Sequence, residues 1–418
     1  MTTPEKSRLS PLLRDRNFML MWWAGLVSLL GNYMLFVALP VYVYGETGST
    51  LATGLSVMAN ALPMIVVGQL AGVLVDRWDY RRTLVLTNLV LVGVTLLFLT
   101  VLSAPWWLVI PVAFVQSSVG QFVGPSENAL LPTLVDEGRL GAANSLNALN
   151  NNLARLIGPA VGGVLVATVG LGGVVVAKAL TYLVAALLIL GVRAPVVVRE
   201  KAGAGHPLAK LMREWRSGLR AVRHNPTLTL GFTVIALAGL GEGTISTLEV
   251  PFVKVMLGGG GTELGLIISA QAVGGIVGGL LLTNFADRVP VLRLLGWGAL
   301  LGGVSDGLLF NYPLIYPVFW PSLVLIAIAG LPFAMFGSAQ MTLLQTGAEP
   351  QVRGRVFGAY FAVFGLAQLV GMLGAGLLGD LIGVMLINVQ TIVYILAGMI
   401  VLTATARGLN TAATEETA

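Results

Sequence analysis

Six ionisable side chains interrupt long apolar stretches, and these are the residues best placed to do chemistry there: Glu127, Arg155, Lys178, Glu242, Glu249 and Asp306. A charge at mid-membrane costs about 2.5–3.5 kcal/mol or more unless it faces a cavity or a partner. We therefore interpret Arg155, Lys178 and Glu242 as lining a polar pathway for a substrate or a proton. Glu249 lies two turns from Glu242 and shares roughly its face. Asp306 is interpreted as a paired structural charge or as a side chain reaching the nearest surface, and for Glu127 both interpretations stay open.

Catalytic chemistry finds little support in the sequence. There are no cysteines, and the two histidines, His206 and His224, both lie in a charged segment between apolar runs. No Gly-x-Ser-x-Gly element and no phosphate-binding glycine loop occurs. The sequence therefore predicts a protein that is not an enzyme, with no catalytic residue, no metal site and no cofactor.

Composition predicts a membrane protein. Hydrophobic residues make up 56% of the 418 positions and charged residues only 10%, against about 25% charged in soluble chains. Runs of about 20 apolar residues can cross a hydrocarbon core. Twelve such runs fall at 18–45, 50–75, 83–102, 106–134, 140–168, 172–193, 227–256, 264–286, 291–311, 316–346, 355–379 and 386–406. The fold class predicted is all-α, with twelve transmembrane helices in two six-helix bundles.

The runs fall into two sets, which predict an N-terminal bundle over 1–193 and a C-terminal bundle over 226–418. The basic linker between them, 194–225, is expected to form an amphipathic helix at the membrane surface from about Pro207 to His224. Of the 24 Lys and Arg residues, all but Arg155, Lys178 and Lys254 lie on one side in this arrangement. By the positive-inside rule that side is cytoplasmic, so both termini are predicted to be cytoplasmic.

A charged turn follows the second apolar run. It contains Gly72, Asp76, Arg77, Asp79, Arg81 and Arg82. A weaker copy in the second set runs from Gly279 to Asp287 and Arg288, without the arginine cluster. Leu130-Leu131-Pro132-Thr133 and Leu343-Leu344-Gln345-Thr346 also correspond. These matches predict two halves related as a parallel repeat, with a substrate site between them near mid-membrane.

The fifth run carries a small-residue pattern. It contains Gly158, Pro159, Gly162 and Gly163, preceded by Ala154. Glycines on one face let a neighbouring helix approach closely, and Pro159 frees a backbone carbonyl and bends the helix. The pattern therefore predicts a close helix–helix contact.

The charged turn and the glycine face together resemble motifs A and C of the major facilitator superfamily. The form with Asp79 is similar to the branch of macrolide-efflux and enterobactin-exporter-like proteins, and the resemblance covers essentially residues 12–405. It implies that Asp76 and the arginines, with Asp287 and Arg288, latch the two halves on the cytoplasmic side. It also implies, through motif C, an exporter of the antiporter type.

Two positions depart from the pattern of the resembled family. Asn32 stands where that branch usually has an aspartate in the first span, which removes a possible proton carrier. Gln116 stands where motif B, associated with proton coupling, has an arginine. If protons drive transport, a carboxylate of the second half is therefore the expected carrier, and Asn32 is retained as a pathway residue.

The function expected is secondary active export of an amphipathic or lipophilic organic molecule, such as a drug or siderophore, by alternating access with protons as coupling ion. The alternative is a transporter of lysophospholipid or another lipid. An alternative of another class is a transport-inactive sensor or assembly protein. The expected partners are a small-molecule substrate, protons and the lipid bilayer, without nucleic acid. The chain is expected to be a monomer in the inner, plasma membrane of a prokaryote.

Overall fold

The computed structural model describes residues 11–193 and 216–408, and these residues are organised as long helices. The first six predicted spans correspond to α1 (Arg16–Thr47), α2 (Thr50–Val66), α3 (Gly68–Val75), α4 (Tyr80–Leu96), α5 (Val109–Gly120), α6 (Val123–Leu134) and α7 (Leu140–Leu190). The next six correspond to α8 (Pro226–Met256), α9 (Gly261–Leu282), α10 (Val291–Asn311), α11 (Trp320–Gly347), α12 (Arg353–Ile382) and α13 (Asn388–Ala406). Short helical turns join them at Phe98–Val101, Trp106–Leu108, Glu137–Arg139, Ala286–Arg288, Tyr312–Leu314 and Val384–Ile387.

The helices and the predicted spans do not correspond one to one. α2 and α3 together cover the second predicted span, and α5 and α6 cover the fourth. α7 covers the fifth and sixth, which are two helical parts joined at Gly170, where the backbone is not helical and φ is 71. Only glycine adopts that backbone conformation without strain, so Gly170 turns the chain where the sequence predicted a break between 168 and 172.

Polar residues define where individual helices begin. Asp79 caps α4, since its side chain accepts a hydrogen bond of 2.7 Å from the backbone N–H of Arg82. Asn225 caps α8 by accepting from the backbone N–H groups of Thr227 and Leu228 at 3.0 and 3.1 Å. Side-chain caps of this kind satisfy N–H groups that have no partner within the helix. Of the predicted linker helix, 216–223 is helical and His224 lies in a turn, whereas 207–215 lies outside the described residues.

The described residues form two compact units. The first contains α1, the part of α2 from Ala59 onward, α3 to α7, and the segment Leu264–Ser269. Its core includes the buried side chains of Phe18, Leu84, Leu130 and Ile189.

The second unit contains the segment Gly48–Met58 together with 216–263 and 270–408. One of its cores includes Leu295, Phe336, Tyr394 and Val401, contributed by α10, α11 and α13.

Candidate functional site

Glu127 lies where α1, α6 and α7 meet in the first unit. Trp22 of α1 donates its indole N–H to the carbonyl of Leu146 at 2.9 Å, and Asn150 donates its amide to the carbonyl of Trp22 at 2.8 Å. A Cβ placed on Gly25 would lie 3.5 Å from Asn150 Nδ2 and 3.7 Å from Glu127 Oε1. Glu127 is half-buried. This predicted pathway residue therefore has polar neighbours between the three helices.

Lys178 and Asn32 are joined through Tyr182. Lys178 is 5% exposed, and its Nζ lies 5.5 Å from the centroid of the Tyr182 ring, within the range of a cation–π interaction. The Tyr182 hydroxyl donates to Asn32 Oδ1 at 2.7 Å. Tyr182 was not predicted as a site residue from the sequence, although it is four residues from Lys178 and therefore on the same helix face.

Arg155 lies beside Tyr33. The Tyr33 hydroxyl donates to Asn151 Oδ1 at 3.4 Å, and the Arg155 charge acts electrostatically on Tyr33. The Arg155 side chain is exposed. Three of the predicted pathway residues, Asn32, Arg155 and Lys178, therefore lie on α1 and α7 and each has an aromatic neighbour.

Carboxyl groups gather in the second unit. Glu242 and Glu249 are half-buried on α8, and both Glu242 and Asp306 act electrostatically on Glu249. Glu242 also acts on Asp306. The structure therefore places Asp306, which was interpreted from the sequence as a structural or surface-reaching charge, within electrostatic range of the two predicted glutamates. Across the described residues no group of three or more His, Cys, Asp or Glu side chains has an arrangement that could hold a metal ion.

Asp306 differs from the sequence interpretation in its surroundings. It is 1% exposed, so it does not reach a surface. Its Oδ2 accepts a hydrogen bond of 2.8 Å from Gln390 Nε2. Among residues 11–193 and 216–408 no cation lies within ion-pair distance of it. Its neighbour is an amide from α13, and that residue could not be identified from sequence spacing.

The glycine face of α7 is in close contact with α1. A Cβ on Gly158 would lie 2.5 Å from Tyr33 Cβ, and one on Gly162 would lie 2.5 Å from Met34 Cα and 2.6 Å from its carbonyl oxygen. Gly163 is also buried. The carbonyl of Pro159 faces Gly265 so closely that a Cβ there would collide with it. Small residues therefore set the spacing of α7 from its neighbours in the first unit.

Arg81 of the charged turn has its described contacts within the first unit. Its Nε and Nη2 donate to the carbonyls of Ile189 and Leu190 at 3.3 and 2.5 Å. These carbonyls end α7, where a cation is favourable because the helix dipole places partial negative charge at the C-terminal end. Asp76 and Arg77 are exposed at the end of α3.

Other motif positions have varied surroundings. Arg82 is exposed. A Cβ on Gly72 would meet no atom of the described chain within 4 Å. Asp287 and Arg288 lie in the turn Ala286–Arg288, where Arg288 is exposed. Gln116, at the altered motif B position, donates to Thr95 Oγ1 at 2.8 Å and is buried.

Asp380 is a polar residue that the sequence analysis missed. Within the second unit it accepts hydrogen bonds from the Ser49 hydroxyl at 2.6 Å, from the Thr50 N–H at 2.6 Å and from the Thr50 hydroxyl at 2.8 Å. A carboxylate at the first turn of a helix also interacts favourably with the helix dipole. Asp380 of α12 therefore caps α2. Ser49 and Thr50 were a recognisable signal of a helix start, but their partner 330 residues away was not.

A basic cavity of about 1050 Å³ lies in the second unit between 216–224 and α8. Its polar side is formed by the arginines Arg216, Arg220 and Arg223 together with His224, and its apolar side includes Phe232 and Leu237. The combination matches the amphipathic character predicted for the end of the linker.

A family model described as transmembrane secretion effector, of the major facilitator group, matches residues 6–417. The macrolide efflux protein A of Streptococcus pyogenes is 26% identical over 87% of this chain and 89% of its own length. The multidrug efflux pump Tap of Mycolicibacterium fortuitum is 28% identical over 87% of this chain and 90% of its own.

Solved structures share the fold. A bacterial homologue of the iron transporter ferroportin aligns with a TM-score of 0.72 at 15% identity, over 94% of this chain and 99% of the other. The nucleoside transporter NupG aligns with a TM-score of 0.73 at 13% identity, over 94% and 99%. The helix pattern, the motif residues and the match along nearly the whole sequence lead to one assignment: the chain belongs to the transmembrane secretion effector family of the major facilitator superfamily, whose members are multi-pass membrane transporters and not enzymes.

Proposed function

We propose that the protein exports an amphipathic or lipophilic organic molecule by alternating access, driven by protons. The observation that carries this proposal is the group of carboxyl residues, Glu242, Glu249 and Asp306, within the apolar helices of the second unit. Buried carboxylates attract a cationic group or a proton, because ionised side chains inside a membrane need compensation. The efflux activities named for the two relatives support export.

The cationic residues suggest a substrate of mixed charge. Arg155 and Lys178 lie in the first unit beside Tyr33 and Tyr182. Cations beside aromatic rings suit an anionic or zwitterionic group attached to an apolar body. We propose a monomer in the inner membrane of a bacterium, with both termini cytoplasmic and with bundles at 1–193 and 226–418.

The export proposal is tested with a panel of compounds. The purified protein is heated with erythromycin, ethidium, a catecholate siderophore or a lysophospholipid, and compounds that raise the melting temperature are followed in proteoliposomes carrying a pH gradient. We expect stabilisation and uphill movement of a drug-like compound. Movement of the lysophospholipid alone would favour the lipid alternative. Binding without flux for every compound would favour a transport-inactive sensor.

Asp76→Asn tests the proposed cytoplasmic latch. The latch role requires the Asp76 carboxylate to form a charged hydrogen bond with the other half of the protein. Loss of that hydrogen bond destabilises the state in which the cytoplasmic side is closed by about 1.5–3 kcal/mol. Distances between spin labels placed at the cytoplasmic ends of the two halves should then lengthen. Asp136→Asn is the matched control, since Asp136 forms an exposed ion pair of 3.7 Å with Arg139. Identical distance distributions in Asp76→Asn and the unmodified protein would remove the latch role.

A further inference from the structure

Asp306 is the most deeply buried carboxyl group among the described residues of the proposed pathway. Its exposure is 1%, whereas Glu242 and Glu249 are half-buried. An ionised carboxylate in such a place is costly unless a cation or hydrogen bonds compensate it. A proton removes that cost by neutralising the group.

The groups around Asp306 do not supply a compensating cation. α11 and α13 pack against α10. α11 has no titratable side chain, and α13 contributes Tyr394, which Asp306 affects electrostatically. α8 approaches through the Phe252–Phe310 ring contact of 5.4 Å. The other titratable groups of α8, α10 and the turn after α10 are Glu242, Glu249, Lys254, Arg293 and Tyr312.

None of the cations among these groups pairs with Asp306. Lys254 is exposed in the last turn of α8. Arg293 lies in the first turn of α10, at the opposite end of that helix from Asp306. The described charges that act on Asp306 are therefore of its own sign, from Glu242.

The amide beside Asp306 is suited to both protonation states. Gln390 is 3% exposed, and it donates Nε2 to Asp306 while its Oε1 is buried without a described partner. The neighbouring Thr391 Oγ1 is likewise buried without a described partner. An amide has donors on one atom and an acceptor on the other. By turning over, Gln390 can accept the O–H of a protonated Asp306 in place of donating to the carboxylate.

We propose that Asp306 and Gln390 form a proton-binding site of the transport cycle, separate from the mid-helix position of Glu242. The Asp306 carboxylate takes up one proton from water to become a carboxylic acid, and it returns that proton in the reverse step. A proton there also removes the like charge facing Glu242, which leaves Glu242 free to interact with a cationic substrate. The role in the cycle rests on the proposed proton-driven export.

Infrared difference spectroscopy of the purified protein between acidic and alkaline pH tests this site without any substrate. A protonated buried carboxyl group gives a carbonyl band that disappears on ionisation. Asp306→Asn should remove one such pH-dependent band. The control Glu349→Gln alters an exposed carboxylate of the same unit and should remove no band that arises from a buried carboxyl group. Gln390→Leu should keep the band but shift its frequency, because the hydrogen-bonding partner of the acid is lost.

Two results would overturn the proposal that Asp306 and Gln390 bind a proton. One is a folded Asp306→Asn variant whose carbonyl bands are the same as those of the unmodified protein. This holds also when Glu242→Gln removes a band, because the protonated group is then Glu242. The other, which applies also if Asp306→Asn does not fold, is a Gln390→Leu variant in which no band shifts. The spectra do not depend on transport, so failure of all compounds in the proteoliposome panel would count against export and leave the proton site standing.

Discussion

Replacing Glu242 with Gln is expected to abolish accumulation of substrate against its gradient while leaving binding and exchange intact. Glutamine keeps the size and hydrogen-bonding capacity of the side chain but cannot release a proton. A free energy of about 1.4 kcal/mol corresponds to a factor of ten, so one proton per substrate and a pH gradient of one unit sustain about tenfold accumulation. The variant should approach equal concentrations on both sides.

Proteoliposomes provide the measurement for Glu242→Gln. A compound identified by the stabilisation panel is supplied with and without a pH gradient, and exchange of labelled for unlabelled compound is followed in parallel. Glu349→Gln is the matched control, because it removes an exposed carboxylate from the same unit. Continued uphill accumulation with unchanged pH dependence in Glu242→Gln would exclude Glu242 as the proton carrier and would turn attention to Glu249→Gln.

The competing view is that Glu242 only stabilises the fold. In that case Glu242→Gln should lower the melting temperature and reduce all activities together. The position of Glu242 favours the coupling role. It lies near the middle of α8, it is half-buried, and it interacts with two further acidic groups of the same unit, Glu249 and Asp306. A second carboxylate nearby makes it unfavourable for both to be ionised at once.

Much of the fold could be predicted because membrane helices are specified locally. Every backbone group must find its hydrogen bond within the segment, so an apolar run of sufficient length is already a helix prediction. The helix ends also follow local chemistry, as Asp79 and Asn225 show by capping α4 and α8. The break predicted between 168 and 172 falls at Gly170, whose φ of 71 is a conformation that glycine adopts readily.

The site could be predicted only in part. The position of a charged residue within an apolar run can be read from the sequence, whereas the residues that contact it depend on how the helices pack. Arg155, Lys178 and Glu242 were identified from their position in apolar runs. The partner of Asp306, Gln390, is 84 residues away and carries no charge to mark it. Tyr182 lies one turn from Lys178, so its ring contact was within reach of helical spacing. Its hydrogen bond to Asn32 required the packing of α7 on α1.

Gly162→Ala is expected to destabilise the protein and impair transport, although alanine is the better helix former. In an open helical position the change from Gly to Ala gains up to about 1 kcal/mol. At Gly162 the added Cβ would lie 2.5 Å from Met34 Cα and 2.6 Å from its carbonyl oxygen. These are backbone atoms that cannot turn aside, so α1 and α7 must separate, and overpacking of this kind costs about 1–3 kcal/mol.

Gly141→Ala on the same helix separates the two contributions. A Cβ there would meet nothing within 4 Å in the described chain, so this variant should keep or slightly raise the melting temperature and keep full transport. Melting curves and proteoliposome flux of the two variants, measured side by side, give the comparison. A Gly162→Ala protein as stable and as active as Gly141→Ala would show that the close approach of α7 to α1 is not required. A protein that folds but transports slowly would instead place this contact among the interfaces that must change during the cycle, because packed helices shift between discrete arrangements and tolerate added bulk poorly.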